Sequence, residues 1–230
     1  MPQKPSSLRA EELCKGYGGR TLWEGFSHRF EEGSLTTLTG PSGCGKTTLL
    51  NCLSLVEGMD AGRLLLDGEQ ITQHHRRRLY RTTFGFLFQS RGLVEQDTVE
   101  RNLRLSPRLS GLPRKEVVRR IDEALEQVGV LEQKKDPVYQ LSGGEYQRVA
   151  FARLLVHGAR LVFADEPTAS LDAENAAQII QLLREHEDGG GIVICATHDP
   201  AVRSAADENL DISSCAPRSA AARGAVRAAV

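Results

Sequence analysis

The sequence predicts an α/β fold: a parallel sheet covered by helices on both faces, a small antiparallel sheet near the N-terminus, and a helical subdomain inserted at about 90–158. Three observations predict it. The first third of the chain alternates polar and apolar residues, as at Phe26, His28 and Phe30. A helical pattern then occupies 90–158. Beyond it, two short apolar runs flank a helical segment, and strand, helix and strand in that order are typical of a parallel sheet.

The N-terminal third is rich in predicted strands. Glu32-Gly33 forms a turn after the first alternating strand, and 35–39 is a second β-prone run. A glycine-rich segment follows, and 48–53 has the composition of the first turns of a helix. The segment 62–68, GRLLLDG, is a short strand closed by an Asp-Gly turn.

The spacing of apolar residues predicts the helices and strands of the rest of the chain. The clearest helix opens at Pro113, a favoured first helical position, and apolar residues recur in it at helical spacing: Val117, Val118, Ile121, Ala124, Leu125 and Val128. Strands are predicted at 84–88, 161–164 and 192–196, with a helix at about 173–187. From about 213 the chain is Ala, Arg and Ser with little that packs. We therefore expect one domain at 1–212 and a disordered tail at 213–230.

Composition and charge exclude several functional classes. The 230 residues are 40% hydrophobic and 26% charged, with a formal net charge of -1, so no global basic field points to nucleic acid. The basic run at 74–78 is interpreted as a solvated helix face. No apolar run approaches the roughly 18–20 residues that cross a bilayer, and no secretory signal is evident, so we expect another protein to hold the chain at any membrane. The five cysteines form no CxxC pair, which favours a reduced, intracellular protein.

A phosphate-binding motif follows the predicted strand at 35–39. It fits GxxxxGK[ST] and comprises Gly40, Pro41, Ser42, Gly43, Cys44, Gly45, Lys46 and Thr47. Its glycines let successive backbone N–H groups point at phosphate oxygens, and the helix that follows adds its positive end. Lys46 is predicted to reach the β- and γ-phosphates, and the Thr47 hydroxyl to ligate Mg²⁺. Cys44 is either a small filler residue, the favoured interpretation, or an activated thiol.

Two acidic residues end the apolar run at 161–164. Successive residues of a strand point to opposite sides, so Asp165 and Glu166 are predicted to have different roles. Asp165 suits a water-bridged contact with Mg²⁺, and Glu166 suits polarising a water molecule that attacks a phosphate. Taken alone, the pair is equally well a solvated strand end. The phosphate-binding motif upstream favours the functional interpretation.

The segment 141–148, LSGGEYQR, combines a helix cap with open backbone donors. Ser142 is a good N-cap, and Gly143 and Gly144 leave N–H groups unobstructed at the positive end of a helix. LSGGE-x-QR is also the signature sequence of the ABC ATPase family, which the chain resembles over roughly 7–212. The resemblance implies a P-loop ABC ATPase fold that binds ATP with Mg²⁺ and hydrolyses it. It also implies that Ser142, Gly143, Gly144 and Glu145 contact nucleotide across a dimer.

The same resemblance assigns roles to residues outside these motifs. Tyr17 matches the aromatic residue that stacks on adenine, the favoured interpretation over a strand-edge tyrosine. Asp172, in the segment SLD at 170–172, matches the loop that signals to the opposite subunit, and Thr48 completes the nucleotide-binding set. His198 matches the switch histidine that contacts the γ-phosphate, although an isolated histidine is more often structural. Gln89 matches the glutamine that senses Mg²⁺ and the attacking water. The implied catalytic residues are Glu166, His198, Gln89 and Lys46, and the implied Mg²⁺ ligands are Thr47, Gln89 and Asp165.

The resemblance extends to a branch of the family and to partners. ADEPT at 164–168 followed by SLD resembles subunits encoded apart from their permease, and FGFLFQ with VEQDTV is most similar to lipoprotein-release, macrolide-export and bacteriocin-export ATPases. The implied partners are a second ABC ATPase subunit, in a homodimer, and an integral membrane permease, with no nucleic acid. The implied position is cytoplasmic, on the inner face of the cell membrane, with the permease docking at 90–105. The alternative is an ABC ATPase that mechanically regulates a cell-envelope partner without moving a solute.

Overall fold

The computed structural model describes residues 7–89 and 92–215, which form two sheets and the helices around them. The strands are β1 (Ser7–Tyr17), β2 (Arg20–Glu31), β3 (Ser34–Thr39), β4 (Ala61–Leu66), β5 (Glu69–Ile71), β6 (Phe84–Phe88), β7 (Leu161–Asp165), β8 (Ile192–Ala196) and β9 (Glu208–Asp211). The α-helices are α1 (Lys46–Leu53), α2 (Arg76–Thr82), α3 (Val99–Arg104), α4 (Arg114–Gln127), α5 (Gly143–His157), α6 (Ala173–Asp188) and α7 (Pro200–Ala205). Short 3-10 helices lie at Gln73–His75, Pro107–Leu109, Glu132–Lys135, Val138–Gln140 and Ile212–Cys215.

The N-terminal third forms the predicted antiparallel sheet, with strand order β2-β1-β4-β5. Leu8 of β1 pairs with Phe30 of β2 on one side and with Leu66 of β4 on the other. Asp67 and Gly68 both have positive φ, 55° and 83°. A two-residue turn with this backbone matches the twist of the strands it joins, so the predicted Asp-Gly turn is confirmed.

The second sheet is parallel throughout, with strand order β6-β7-β8-β3-β9. Residues of β8 alternate between its two faces: Ile192 and Ile194 pack in one core cluster, and Val193 and Cys195 in the other. Both faces of this sheet are therefore covered, as the continuous apolar runs predict. Because the strands are parallel, their carboxyl ends meet at one edge, which we call the carboxyl edge.

The helical subdomain packs on one face of the parallel sheet. Ile121 and Leu125 of α4 are fully buried, and α4 packs on α5, which also contacts β6 and α6. On the other face, Leu49 and Leu53 of α1 join the core cluster beneath the antiparallel sheet. Among the helices of 7–89 and 92–215, none combines the length and the apolar character needed to cross a bilayer.

Several features differ from the expectations drawn from sequence. α4 begins at Arg114, and Pro113 is its N-cap because its ψ of 143° is extended. β9 is an edge strand that the pattern does not single out, since its segment ENLD is short and polar and only Leu210 packs on the core. Positions 213–215, assigned above to the disordered tail, belong to the 3-10 helix Ile212–Cys215. The remainder of that predicted tail, 216–230, and the first two positions of the predicted docking segment, 90 and 91, lie outside the described residues.

Candidate active site

The phosphate-binding loop connects β3 to α1 at the carboxyl edge. Gly40, Gly43 and Gly45 have φ of 139°, 77° and 97°, which residues with a side chain rarely adopt. A Cβ at Gly45 would also lie 3.1 Å from Nε1 of Trp23, so the loop rests on this buried indole. Lys46 Nζ donates a hydrogen bond to the carbonyl oxygen of Gly40 at 2.9 Å. The ammonium is therefore held within its own loop.

Cys44 has a packing role in this loop. A Cβ at Gly40 would lie 2.8 Å from its Sγ, and the side chain packs, partly buried, on the core cluster beneath the antiparallel sheet. These contacts agree with the interpretation of Cys44 as a filler residue. The adjacent Pro41, Ser42 and Gly43 are exposed, so the outer part of the loop is open to a ligand.

Thr47 and Asp165 join the first turn of α1 to the end of β7. The Thr47 hydroxyl donates to Oδ1 of Asp165 at 3.1 Å. Burial raises the pKa of Asp165; the Thr47 hydrogen bond opposes this shift, and the charge of Glu166 adds to it. Hydroxyl and carboxylate oxygens are Mg²⁺ ligands, and a cation between them would offset the cost of burying the carboxylate charge. Thr47 and Asp165 therefore fit a Mg²⁺ site.

Glu166 occupies a tight turn directly after β7. Its φ is 47°, a left-handed conformation that non-glycine residues adopt mainly where surrounding contacts enforce it. Its N–H donates to the carbonyl oxygen of Ala196 at 2.8 Å. Its carboxylate accepts the Thr197 hydroxyl at 3.2 Å, and its Oε1 lies 2.8 Å from Nδ1 of His198. Asp165 and Glu166 thus diverge because of this turn, and the strand alternation assumed above is not the cause.

Gln89 stands at the same edge, one residue beyond β6. Its neighbour Phe88 pairs with Asp165 of β7. The buried amide of Gln147, in α5, donates to the carbonyl oxygens of Phe88 and Gln89 at 2.9 and 2.7 Å. The helical subdomain is therefore bonded directly to the strand end that carries Gln89, whose side chain is exposed.

Ser142 begins α5 with a reciprocal capping pattern. Its hydroxyl oxygen accepts the Glu145 N–H at 3.3 Å, and Oε2 of Glu145 accepts the Ser142 N–H at 2.8 Å. The hydrogen bonds from the Ser142 backbone and hydroxyl lower the pKa of Glu145. Ser142 and Gly143 are exposed, so the positive end of α5 faces the surface.

Asn175 connects this segment to the loop before α6. Its Oδ1 accepts a hydrogen bond from Arg148 of α5 at 2.7 Å, and its Nδ2 donates to Oδ2 of Asp172 at 2.8 Å. Asp172 is the N-cap of α6 and accepts the Asn175 N–H at 2.9 Å. The SLD loop and the signature segment are thereby joined within one chain.

Tyr17 ends β1 with half of its surface, 50%, exposed. Its hydroxyl donates to Oε1 of Glu57, and the Thr48 hydroxyl also faces it. The hydrogen bond with Glu57, together with burial, raises the pKa of Tyr17. The ring therefore stands at the surface with its hydroxyl end held by the chain that follows α1.

The contacts above bring ten of the predicted residues into two groups. Tyr17 belongs to neither, because its contacts are with Glu57, Lys15 and Thr48. One group surrounds the carboxyl edge: Gln89, Lys46, Thr47, Asp165, Glu166 and His198. The other joins the starts of α5 and α6: Ser142, Gly144, Glu145 and Asp172.

No role was predicted for several residues that hold these two groups or Tyr17 in place: Lys15, Glu57, Gln147, Asn175 and Thr197. Two of them carried a signal. Gln147 belongs to the signature segment, and Lys15 lies two positions before Tyr17 on the same strand, where alternate residues share a face. Glu57 and Asn175 lie outside every motif, so only the fold reveals their contacts.

Comparisons with known proteins agree with this geometry. A family model described as ABC transporter matches residues 23–169. FtsE from Escherichia coli K12, a cell division ATP-binding protein, is 36% identical over 195 residues, which cover 84% of this chain and 88% of FtsE. MacB from Brucella melitensis, a macrolide export ATP-binding/permease protein, is 34% identical over 212 residues, 89% of this chain. The chain spans only 33% of the length of MacB.

A solved structure extends the comparison to the fold and its ligands. The ATP-binding cassette MJ0796, in a dimeric post-hydrolysis state bound to ADP and phosphate, matches with a TM-score of 0.80 and 27% identity, over 89% of this chain and 94% of that one. The predicted combination of an antiparallel sheet, a parallel phosphate-binding core and a helical subdomain is thus confirmed. The chain belongs to the ABC transporter family, as an ABC ATPase that binds and hydrolyses ATP.

Proposed function

We propose that this chain is the ATP-hydrolysing subunit of a membrane ABC transporter of the export or lipoprotein-release type, with a separately encoded permease and with 1–212 as one ATPase domain. The position of Glu166 carries the hydrolytic role. The left-handed turn, with φ of 47°, holds its carboxylate at the carboxyl edge next to the Thr47–Asp165 pair and in contact with His198.

The chemistry follows from this arrangement. Backbone N–H groups of the loop and the Lys46 ammonium bind the phosphate oxygens of ATP. Thr47, Asp165 and Gln89 would hold Mg²⁺, which supplies charge neutralisation at the phosphates. The Glu166 carboxylate accepts a hydrogen bond from a water molecule, and the oxygen of that water attacks the γ-phosphorus. The bond between the γ-phosphorus and the oxygen that bridges it to the β-phosphate then breaks, and ADP leaves. His198, whose Nδ1 lies 2.8 Å from Oε1 of Glu166, is proposed to contact the γ-phosphate.

The complete site requires a second copy of the chain. In this proposal, two chains pair head to tail, and the signature segment of each faces the nucleotide of the other. The exposed, capped start of α5 supports this role because it presents backbone donors and a positive helix end at the surface. The dimeric state of MJ0796 supports it independently. Asp172, bonded to the same segment through Asn175, would report the state of one site to the other.

The permease contact is proposed at a cleft beside the strand that carries Gln89. The cleft, of about 200 Å³, lies between α2, β6, α5 and the 3-10 helix Pro107–Leu109, and its apolar wall includes Phe86 and Leu105. Arg153 lines the same cleft and donates to the chain segment that follows Gln89. A permease segment seated here would therefore press on β6 and on α5, the two elements that Gln147 bonds together.

FtsE supports a second candidate function. FtsE is a cell division ATP-binding protein, and this chain covers 88% of its length. The second candidate is thus an ABC ATPase that mechanically regulates a cell-envelope partner. Both candidates use the same catalytic residues, so only the partner separates them.

Reconstitution tests both candidates. The chain is combined with its membrane partner in lipid vesicles, and ATP hydrolysis and solute or lipoprotein release are measured together. Hydrolysis stimulated by the partner and coupled to release supports the transporter. Stimulated hydrolysis without release supports the regulator, and absence of hydrolysis in every preparation contradicts both.

A further inference from the structure

A hydrogen-bonded network surrounds Tyr17, and its other members lie outside the sequence motifs. Oε1 of Glu57 accepts the Tyr17 hydroxyl and also a hydrogen bond from Nζ of Lys15 at 2.9 Å. The Lys15 ammonium lies 4.9 Å from the centre of the Tyr17 ring, within the range of a cation–π contact. Glu57 thus holds the hydroxyl end of the ring while Lys15 covers one of its faces.

Lys15 is itself fixed in place. Its side chain is only 10% exposed, and its Nζ donates to the carbonyl oxygen of Gly58 at 2.8 Å and lies 3.6 Å from Oδ1 of Asp60. The hydrogen bond with Glu57 raises the pKa of Lys15 despite its burial, so the ammonium stays charged. An ammonium has three donors, and here they face three acceptors. It is therefore a rigid support for the ring.

Glu57 connects this support to the phosphate-binding helix. Its N–H donates to the carbonyl oxygen of Asn51, in the last turns of α1, at 3.1 Å. The other end of α1 begins at Lys46, in the phosphate-binding loop. Burial raises the pKa of Glu57, but the hydrogen bonds from Tyr17 and Lys15 outweigh it and lower the pKa overall. An ionised carboxylate accordingly ties the Tyr17 ring to the helix that carries the phosphate loop.

A cleft of about 430 Å³ opens beside the ring, and Tyr17, Lys15, Arg20, Glu24 and Asp60 are among the residues that line it. The ammonium covers one face of the ring, and half of the Tyr17 surface is exposed, so we expect a planar base to stack on the opposite face. A ring that is already immobile loses less conformational entropy when a base stacks on it than a mobile ring does.

We propose that Glu57 and Lys15 are positioning residues for the purine base of ATP. They hold Tyr17 in a preformed orientation and connect it to α1, so that the base platform and the phosphate-binding loop are set relative to each other before nucleotide arrives. This inference rests on the proposed binding of ATP with its base at Tyr17.

Comparing two ligands distinguishes contacts with the base from contacts with the phosphates. Purified chain is titrated calorimetrically with ATP and with inorganic tripolyphosphate, each with Mg²⁺. Glu57→Gln keeps an acceptor oxygen but removes the charge that pairs with Lys15. It should weaken ATP binding about three- to tenfold, the difference between a charged and a neutral hydrogen bond, and leave the tripolyphosphate Kd unchanged. Lys15→Met should show the same pattern. Glu69→Gln, an exposed carboxylate of β5 in the same sheet, is the matched control and should change neither Kd.

A double-mutant cycle tests the contact itself. Tyr17→Phe removes the hydroxyl that Glu57 holds, so Tyr17→Phe combined with Glu57→Gln should weaken ATP binding no more than either change alone. Additive effects would overturn the proposal. So would equal weakening of ATP and tripolyphosphate by Glu57→Gln, because a merely structural role acts through α1 on both ligands. Thermal unfolding of each variant checks that the fold is retained.

A separate variant tests whether the base of ATP binds at Tyr17. Tyr17→Ala should weaken ATP binding and leave tripolyphosphate binding unchanged. If the wild-type chain binds ATP more tightly than tripolyphosphate and Tyr17→Ala leaves the ATP Kd unchanged, the base binds elsewhere. That result overturns the positioning role of Glu57 and Lys15. A wild-type chain that binds neither ligand contradicts the proposed function instead.

Discussion

The side-chain amide of Asn175 occupies the space that a Cβ would need at Gly144, where the nearest atom, Oδ1, would be 1.9 Å away. The same amide bonds Arg148 and Asp172. The start of α5 and the loop before α6 are therefore packed as one unit, and the buried position of Gly144 has no space for a side chain.

The first prediction concerns this packing. Gly144→Ala should lower the free energy of unfolding by about 1–3 kcal/mol, the usual cost of overpacking. Gly143→Ala is the matched control for stability, because its Cβ would meet Leu171 at an ordinary 3.6 Å. Urea unfolding compares them. Asn175→Ala in the Gly144→Ala background should restore part of the loss. Equal stability of the two alanine variants would contradict the packing argument.

The second prediction concerns hydrolysis. Glu166→Gln keeps the shape of the side chain but removes the carboxylate that is proposed to orient water, so turnover should fall by about 100-fold or more. ATP binding should persist, because Thr47 and Asp165 are unchanged, and the variant should accumulate as an ATP-bound dimer in size-exclusion chromatography. Glu126→Gln, at an exposed position of α4, is the control. Near-normal steady-state hydrolysis by Glu166→Gln would remove Glu166 from the mechanism.

The third prediction concerns the phosphates. Lys46→Ala removes an ammonium that is proposed to bind two phosphates, so ATP binding should weaken about 10- to 100-fold, as expected for a charged hydrogen bond. Calorimetric titration with ATP measures the change in Kd, and the affinity for tripolyphosphate should weaken by a similar factor. Lys115→Ala, exposed on α4, should leave both unchanged. If Lys46→Ala binds ATP as tightly as the wild type does, the Lys46 ammonium does not bind the phosphates and stays bonded to the carbonyl oxygen of Gly40.

The fourth prediction concerns the membrane partner. Leu105 is 62% exposed at the cleft beside β6. Leu105→Glu places a charge on this apolar surface, so co-purification with the permease should be lost while hydrolysis by the isolated chain is retained. Leu131→Glu, a second exposed leucine on the helical subdomain, is the control. If both variants bind the permease as wild type does, the cleft is not the docking surface.

The fifth prediction concerns pH. Glu187 is 4% exposed, and burial, together with Asp207, raises its pKa from 4.5 to about 7 despite the nearby Arg184. The unfolded chain ionises this carboxyl near pH 4.5 and the folded chain near 7. The contribution of Glu187 to the free energy of unfolding is therefore fully present below about pH 4.5. As the pH rises toward 7 this contribution is lost, and the free energy of unfolding falls by up to about 3 kcal/mol.

Glu187→Gln should remove this part of the pH dependence. Unfolding by urea at pH 5 and pH 8 measures it: the difference between the two pH values should shrink in Glu187→Gln and persist in Glu185→Gln, an exposed neighbour. The same pH profile in both variants would show that Glu187 does not titrate in this range.

The catalytic motifs are contiguous, and for that reason sequence alone identifies them. The glycine-rich loop from Gly40 to Thr47, the acids that end β7 and the cap at Ser142 are each defined by neighbouring residues whose backbone and side-chain chemistry is local. Buried strands of a parallel sheet are likewise recognisable, because continuous apolar runs need cover on both faces. The polar edge strand β9 has no such pattern and was missed.

Contacts between distant parts of the chain depend on packing, which no local pattern encodes. The direction of Glu166 comes from a turn held by Ala196, and the strand alternation inferred from sequence assigned the wrong cause. Asn175 meets Gly144 only because α5 and α6 pack together, and Glu57 meets Tyr17 only because the chain after α1 returns to β1. Local chemistry thus predicts the residues that are proposed to touch ATP, whereas the three-dimensional arrangement of the sheets and helices decides which residues hold them in place.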